Sequence, residues 1–157
     1  MSSAPACSSY WPADNPATMA HMNLLQGIIN RLANNSASCK TWCLALVGAL
    51  VGLAGASKSP GIISYALLPV LLFGCLDAMY LAQERAYRHL FRKVVDKIRA
   101  GKYVLGDAFE TDAQFGLRGF FSALASWAVF PIYLGLIVAY LVARKTGWYT
   151  ALGALVP

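Results

Sequence analysis

Apolar positions gather into long blocks along this chain, and the blocks predict an all-α membrane protein. Apolar residues dominate 41–57, 62–82 and 119–143. A helix needs about 20 apolar residues to cross the hydrocarbon core of a bilayer, so each block is predicted to be a membrane span. The turn at 58–61 is too short for anything but an antiparallel connection, so residues 41–83 are predicted to form a transmembrane hairpin.

The segments outside the spans have patterns of their own. Apolar residues recur at helical spacing within 16–40, which predicts an amphipathic entry helix. The preceding residues, 1–15, are polar and turn-rich, carry no features of a cleavable signal peptide, and are predicted to be a disordered leader. The last residues, 144–157, form an apolar tail that is too short to span a bilayer.

The second span is predicted to continue as a long cytoplasmic helical extension. No helix breaker lies between Ala78 and Ala100, and Gly101 suits a helix end. The extension has one apolar stripe at the spacing of a single helix face, formed by Tyr87, Leu90, Phe91, Val94, Val95 and Ile98. Residues 84–118 are therefore predicted to form a basic helix followed by a loop.

Composition and charge strengthen the membrane assignment. The 157 residues are 58% hydrophobic and 13% charged, whereas soluble domains carry about 25% charged residues. A domain of this size cannot bury so much apolar surface by folding alone, so a bilayer must cover the rest. The net charge of +6 is concentrated between Arg85 and Lys102. The positive-inside rule then places the N-terminus and 84–118 in the cytoplasm and the C-terminus on the far side.

Asp77 interrupts the second span, and a carboxylate inside a hydrocarbon core costs at least a few kcal/mol. One interpretation is a charge near the cytoplasmic end of the span that snorkels or is hydrated. The other is a buried contact between subunits or a water-lined cavity. Glu84 and Arg88 fall on nearly the same helix face, at a spacing suited to an ion pair, and are predicted to extend a polar seam from Asp77. Asn30 and Arg31 are predicted to join this seam at its cytoplasmic mouth.

Gly48 and Gly52 lie four residues apart in the first span. Small residues at this spacing let helix backbones approach closely, so both are predicted helix-packing sites. The partner helix belongs either to the same chain or to another subunit. The pattern is common in apolar helices, and it leaves both alternatives open.

The basic residues of the cytoplasmic helix form the candidate surface for a ligand or partner. They are Arg85, Arg92, Lys93, Lys97, Arg99 and Lys102. Such a run is most often a solvated face or an anchor to anionic lipid. Aromatic rings interleaved with these charges are also compatible with stacking on a nucleobase. A nucleotide or oligonucleotide signal is therefore the sharper alternative.

No feature of the sequence predicts an enzyme, a cofactor or a metal site. His21 and His89 are the only histidines, and neither lies within a catalytic motif. The chain has no Walker loop, no dinucleotide-binding glycine motif and no HExxH. Cys39 and Cys43 have no histidine close in sequence, so both thiols are expected to act as small apolar residues.

Two stretches resemble a known family. One is Leu25–Ser36 (LQGIINRLANNS), and the other, Leu76–Lys93, carries D-x-x-Y-L-x-Q-E-R on Asp77, Tyr80, Leu81, Gln83, Glu84 and Arg85. With the hairpin, they resemble small bacterial membrane proteins of the SLATT type. The resemblance implies a homo-oligomeric effector of antiphage defence that breaches the inner membrane, in some cases after a nucleotide-derived signal from a partner enzyme. The third span departs from the simplest pattern of that family.

The sequence supports one leading hypothesis and one rival. In the first, several copies of the chain form or gate a pore in the bacterial inner membrane, and a partner enzyme or a nucleotide-derived signal opens it through the cytoplasmic helices. In the rival, the chain is a non-conducting anchor or scaffold for a cytoplasmic enzyme. Membrane lipid is a partner in both.

Overall fold

The computed structural model describes residues 12–57 and 59–146, and all regular secondary structure in this part of the chain is helical. The predicted all-α class is confirmed. The α-helices are α1 Pro16–Ala56, α2 Leu67–Arg99, α3 Leu117–Leu124 and α4 Phe130–Thr146. Short 3-10 helices occur at Pro60–Ala66 and Leu105–Asp107. Lys58, most of the predicted leader and most of the predicted apolar tail lie outside the described residues.

α1 is one continuous helix that combines the predicted entry helix, 16–40, with the first apolar block. Asn15 caps it, because its Oδ1 accepts a hydrogen bond from the Ala17 amide at 2.9 Å. Pro16 follows at the first helical position, where its fixed φ is favourable. The polar residues 34–36 do not interrupt the helix, since Asn and Ser reduce helix propensity by less than about 1 kcal/mol each.

α2 extends to Arg99, as the absence of breakers predicts, and ends in a Schellman motif. Gly101 has a φ of 66°, a left-handed conformation that a residue without a Cβ adopts easily. The Gly101 amide donates to the Ile98 carbonyl at 3.1 Å, and the Lys102 amide donates to the Lys97 carbonyl at 2.9 Å. These bonds satisfy carbonyls that otherwise lack partners at a helix end.

The third apolar block, 119–143, is not the single helix that its length predicts. α3 and α4 replace it, joined by a turn at 125–129 in which the Phe130 amide donates to the Ser126 carbonyl at 2.8 Å. Pro131 explains the break, because it has no amide hydrogen and its ring clashes with the carbonyl four residues earlier. It therefore lies in the first turn of α4 instead of near the middle of one long helix.

Among the described residues, two helices are long and apolar enough to cross a membrane, by length and composition: Pro16–Ala56 and Gly61–Arg99, which includes the 3-10 helix before α2. Only 22% and 39% of their most apolar windows are buried. Large apolar side chains are exposed on both, including Trp42 and Leu68. Soluble proteins rarely expose apolar surface on this scale, whereas a lipid-facing helix does so by necessity.

The contacts divide the chain into two compact units, and α1 and α2 contribute residues to both. The first unit comprises Met1–Leu32 and Gln83–Phe115, and the second comprises Ala33–Ala82 and Gly116–Pro157. The buried core of the first consists of Leu25, Val94, Ile98 and Tyr103. The buried core of the second consists of Cys43, Val70, Ala78, Ala82, Ala123, Val129 and Tyr133. Most of the predicted stripe on α2 packs in or against the first core.

Candidate functional site

Asp77 is fully buried in the second unit, and its charge is balanced within its own chain. Lys40 Nζ, from α1, lies 2.8 Å from Oδ1 and 2.7 Å from Oδ2 of the carboxylate. The Ser36 hydroxyl donates a hydrogen bond to Oδ1, and the Lys40 ammonium donates to Ser36 Oγ at 3.1 Å. We call these three residues the Asp77 cluster. It gives Asp77 a charge partner and a hydrogen-bond donor within its own chain.

Helix geometry explains how α1 supplies both partners. Ser36 and Lys40 are four residues apart, so their side chains lie on one helix face. The Lys40 side chain retains 21% exposure while Asp77 has none, which is the arrangement expected of a long amphipathic side chain that reaches toward a polar boundary. Because a buried carboxylate is stable only when paired and hydrogen-bonded, the cluster ties α1 to α2 at this level.

The Asp77 cluster is only partly satisfied. Asp77 Oδ2 faces the ammonium but accepts no well-directed hydrogen bond from a described residue. The Tyr133 hydroxyl, from α4, is buried near the same carboxylate, also without a well-directed hydrogen bond within the described chain. An incompletely satisfied polar network costs free energy in a low-dielectric interior.

Small apolar residues surround the cluster. Cys39 and Cys43 are buried free thiols, as expected of small apolar residues, and the Cys43 thiol contacts the Pro69 carbonyl at 3.8 Å. Gly74 makes a closer approach: a Cβ at this position would lie 3.4 Å from the ring of Tyr133. α4 thus packs directly against α2 beside the buried carboxylate.

Gly74→Ile is expected to lower the free energy of unfolding by about 1–3 kcal/mol, because the added side chain must displace the Tyr133 ring in a packed core. Gly135→Ile is the matched control, since a Cβ at this exposed glycine of α4 meets nothing within 4 Å in the described chain. Denaturation of the purified protein in detergent measures both. Equal losses at the two positions would contradict the packing of Gly74 against Tyr133.

The predicted packing glycines are exposed on α1. A Cβ at either Gly48 or Gly52 would meet no atom of the described residues within 4 Å. Close packing within the chain is therefore not found at these glycines among the described residues, and packing between subunits stays a prediction.

The rest of the predicted polar seam lies in the first unit. Arg88 Nε donates to Glu84 Oε1 at 2.7 Å, which confirms the spacing-based ion pair. Glu84 is buried, whereas Asn30 and Arg31 are exposed on α1. Asp77 pairs with Lys40 in the second unit, whereas Glu84 pairs with Arg88 in the first.

The first unit does bring some predicted residues together, at a cleft of about 340 Å³ that we call the arginine cleft. It is lined by Gln26, Ile29, Asn30, Arg88, Phe91 and Arg92. Two guanidinium groups beside two amide side chains suit an anion with several hydrogen-bond acceptors. Asn30 and Arg88, predicted for the seam, thus join Arg92, predicted for ligand binding, while Arg31 does not line the cleft.

The remaining basic residues divide between two environments. Lys93 and Lys97 line a second cleft of the first unit, whereas Arg85, Arg99 and Lys102 are exposed elsewhere on its surface. No single basic surface therefore contains the full predicted set.

Lys97 is tied to the loop that follows α2. Its Nζ lies 2.6 Å from Asp107 Oδ1, and the Val104 amide donates to Asp107 Oδ2 at 3.2 Å. The hydrogen bond to Lys97 holds the pKa of the Asp107 carboxyl below its usual range, and the same bond raises the pKa of Lys97. The pair keeps both groups charged and fixes the loop against α2.

A buried histidine that sequence reasoning missed also holds this loop. His21, on α1, is fully buried; its Nδ1 lies 2.8 Å from the Tyr103 hydroxyl and its Nε2 3.0 Å from the Glu110 carbonyl. The carbonyl can only accept, so Nε2 carries the hydrogen and Nδ1 accepts from Tyr103. Burial, reinforced by the charge of Asp107, raises the pKa of Tyr103, which keeps its hydroxyl a donor.

His21→Phe is expected to release the loop, because it keeps the ring volume but removes both hydrogen bonds. We expect a loss of about 1–3 kcal/mol in unfolding free energy and faster amide hydrogen exchange over residues 103–110. Asn23→Phe, at an exposed position on the same helix, is the control and should leave exchange in this loop unchanged. Unaltered protection in His21→Phe would rule out this role.

Among the described residues, no group of three or more His, Cys, Asp or Glu side chains is placed to hold a metal ion. The Asp77 cluster offers charge pairing across two helices, and the first unit offers two polar clefts. No family model, no curated protein and no solved structure matches this chain.

Proposed function

We propose that this protein is an oligomeric membrane effector whose Asp77 cluster holds each subunit in a closed, non-conducting arrangement. The observation that carries the proposal is an ion pair buried between two helices that are long and apolar enough to cross a membrane. Ionisable side chains inside membrane helices are rare and mark functional sites by default. Separating Lys40 from Asp77 would expose a charged path and open the conduit.

The proposed topology follows from charge and contact order. Contacts between α1 and α2 pair Ser36 with Asp77 and Cys43 with Pro69, an order that supports an antiparallel transmembrane hairpin. The basic end of α2 lies in the cytoplasm of a bacterial cell by the positive-inside rule. α3 and α4 then lie against the hairpin, in place of a single third span, and α4 leads toward the far side of the inner membrane.

The closed state has a physical basis. The Asp77 carboxylate is neutralised inside its own chain, and the described surface of the second unit presents large apolar residues such as Leu71 and Leu72. A subunit in this state therefore offers lipid an apolar surface and offers ions no charged path. Opening requires the binding of a ligand or partner whose preference for the open state, in free energy, offsets the loss of a buried ion pair. We call this the input.

The proposed input is an anionic signal that binds in the first unit. In the arginine cleft, Arg92 forms no ion pair with a described residue, and amide groups are present at Gln26 and Asn30. α1 and α2 carry these residues and also carry Lys40 and Asp77, so a ligand that rearranges the two helices acts on the cluster. The SLATT resemblance supports a nucleotide-derived anion and a role in antiphage defence.

Expression in a bacterial host tests the proposal. We expect induced wild-type protein to be tolerated while its trigger is absent, and Lys40→Met to arrest growth and depolarise the membrane, because the closed state has lost its ion pair. Arg99→Met, on an exposed basic residue outside the cluster, is the control. Growth arrest that is the same for both variants, or absent in both, would contradict the proposal.

A second candidate function is a non-conducting anchor for a cytoplasmic enzyme. It is favoured by one observation: Asp77 is buried and paired without a second subunit, so the monomer needs no conduit to explain this charge. Purified protein in liposomes separates the two functions. An anchor passes no ions in any variant, whereas an effector passes them when the cluster is broken.

A further inference from the structure

The first unit contains a cleft whose two walls carry opposite charge. Its volume is about 460 Å³, within the range of about 300–1,000 Å³ typical of small-molecule sites. We call it the mixed-charge cleft, and its charged or titratable lining consists of His89, Lys93, Lys97, Asp107, Glu110 and Asp112. The first three lie on α2 and the last three on the loop that follows it.

The α2 wall is a single row of donors. His89, Lys93 and Lys97 are spaced at i, i+4 and i+8, so they lie one above another on one helix face. Lys97 is already paired with Asp107. Lys93 forms no ion pair with any residue in the described part of the chain, and its ammonium is exposed. This wall therefore offers one free cation beside an imidazole.

The loop wall offers the opposite charge. Glu110 and Asp112 are exposed acids, and neither is ion-paired among the described residues. The loop is held in place by the bond from His21 to the Glu110 carbonyl and by the Lys97–Asp107 pair. A preorganised wall loses little conformational entropy on binding, so these two carboxylates can meet a cationic group without reordering of the loop.

We propose that the mixed-charge cleft binds a small zwitterion, with a phosphate or carboxylate group against Lys93 and His89 and an ammonium group against Glu110 and Asp112. A simple anion would meet the acids of the loop wall, and a simple cation would meet the lysines of α2. Like-charge contacts of this kind exclude wrong ligands, so only a molecule that carries both charges satisfies both walls.

This inference is independent of the proposed function, because binding in the first unit requires neither a pore nor an oligomer. The same chemistry occurs in a free amino-phosphate and in the headgroup of phosphatidylethanolamine. Direct binding measurements decide the inference, whereas ion flux decides the proposed function. Either can therefore fail while the other stands.

Calorimetric titration of the full chain in detergent with phosphoethanolamine tests the inference, with inorganic phosphate and ethanolamine as half-ligands. We expect saturable binding of phosphoethanolamine and at least about tenfold weaker binding of each half-ligand, because each half leaves one charged wall unpaired. Lys93→Gln and Glu110→Gln should each weaken binding at least about tenfold.

Lys102→Gln and Asp96→Asn are the matched controls, since both residues are exposed and lie outside the cleft. Both should stay within about twofold of wild type, with unchanged circular dichroism in all variants. A second experiment compares the thermal stability of the protein in nanodiscs of phosphatidylethanolamine and of phosphatidylglycerol. Stabilisation by phosphatidylethanolamine alone, lost in Lys93→Gln, would identify a lipid headgroup as the zwitterion. No binding in either experiment, phosphate binding as tight as the zwitterion, or cleft variants that match the controls would overturn the inference.

Discussion

Lys40→Met is expected to lower the free energy of unfolding by about 3–5 kcal/mol, the usual result of leaving one member of a buried ion pair without its partner. Asp77 has no exposed surface, so water cannot replace the ammonium without a rearrangement of α1 and α2. Methionine retains most of the length and apolar character of the lysine stem, so the change in stability reports the loss of the charge alone. Titration with a denaturing detergent, followed by circular dichroism, measures the change.

The double variant Lys40→Met, Asp77→Leu is expected to recover stability to within about 1–2 kcal/mol of wild type, because an apolar pair of similar volume often replaces a buried ion pair without loss. Arg99→Met is the control at an exposed basic residue that forms no ion pair in the described part of the chain, and it should cost less than about 0.5 kcal/mol. If Lys40→Met costs no more than Arg99→Met, Asp77 does not depend on Lys40.

Asp77→Asn is expected to raise ion flux through proteoliposomes at least about tenfold over wild type. The amide can still accept a hydrogen bond from Ser36 but no longer pairs with the Lys40 charge. A change of about 1.4 kcal/mol between closed and open states shifts their ratio tenfold, and loss of a buried ion pair exceeds that. Release of a trapped ion-sensitive dye measures the flux.

Asp96→Asn is the control for this effect, since it removes an exposed carboxylate from the same helix, and it should leave the flux at the wild-type level. A variant of Asp77 that loses stability yet stays sealed would give the cluster a structural role only. That outcome favours the anchor function.

Local sequence rules predict most of the helices here. The apolar periodicity of α2 and the absence of breakers predict its full length, and Gly101 marks its end because only a residue without a Cβ enters the left-handed region at little cost. Pro131 is visible in the sequence as well, but the apolar block around it predicts one long span. The break into α3 and α4 was not predicted, because the length of an apolar block does not show whether a proline bends a helix or ends it.

The Asp77 cluster depends on information that helix periodicity does not contain. Periodicity puts Asp77 on a helix face, but the register between α1 and α2 decides which residue of α1 meets it. Ser36 lies in a short polar stretch, and Lys40 directly precedes the first apolar block. Their spacing of four residues was the available signal, because two polar side chains on one face at the entrance of an apolar helix need a partner.

The bond from His21 to Tyr103 could not be predicted from local pattern. The two residues are 82 positions apart, and neither belongs to a recognisable motif. Only the packing of the loop against α1 brings them together. Local pattern could not predict the arginine cleft or the mixed-charge cleft either. Residues from one basic run on α2 lie on different faces of the helix, and packing decides which of them line each cleft.

The most direct test of the central claim is to link positions 36 and 77. The starting chain has its native cysteines replaced by alanine: Cys7, Cys39, Cys43 and Cys75. Ser36→Cys and Asp77→Cys are then introduced. This protein is treated in proteoliposomes with a short thiol-reactive cross-linker. We expect cross-linked chains of monomer mass, high ion flux before linking, low flux afterwards, and restored flux when the link is cleaved. Links formed only between chains, or flux indifferent to linking, would contradict it.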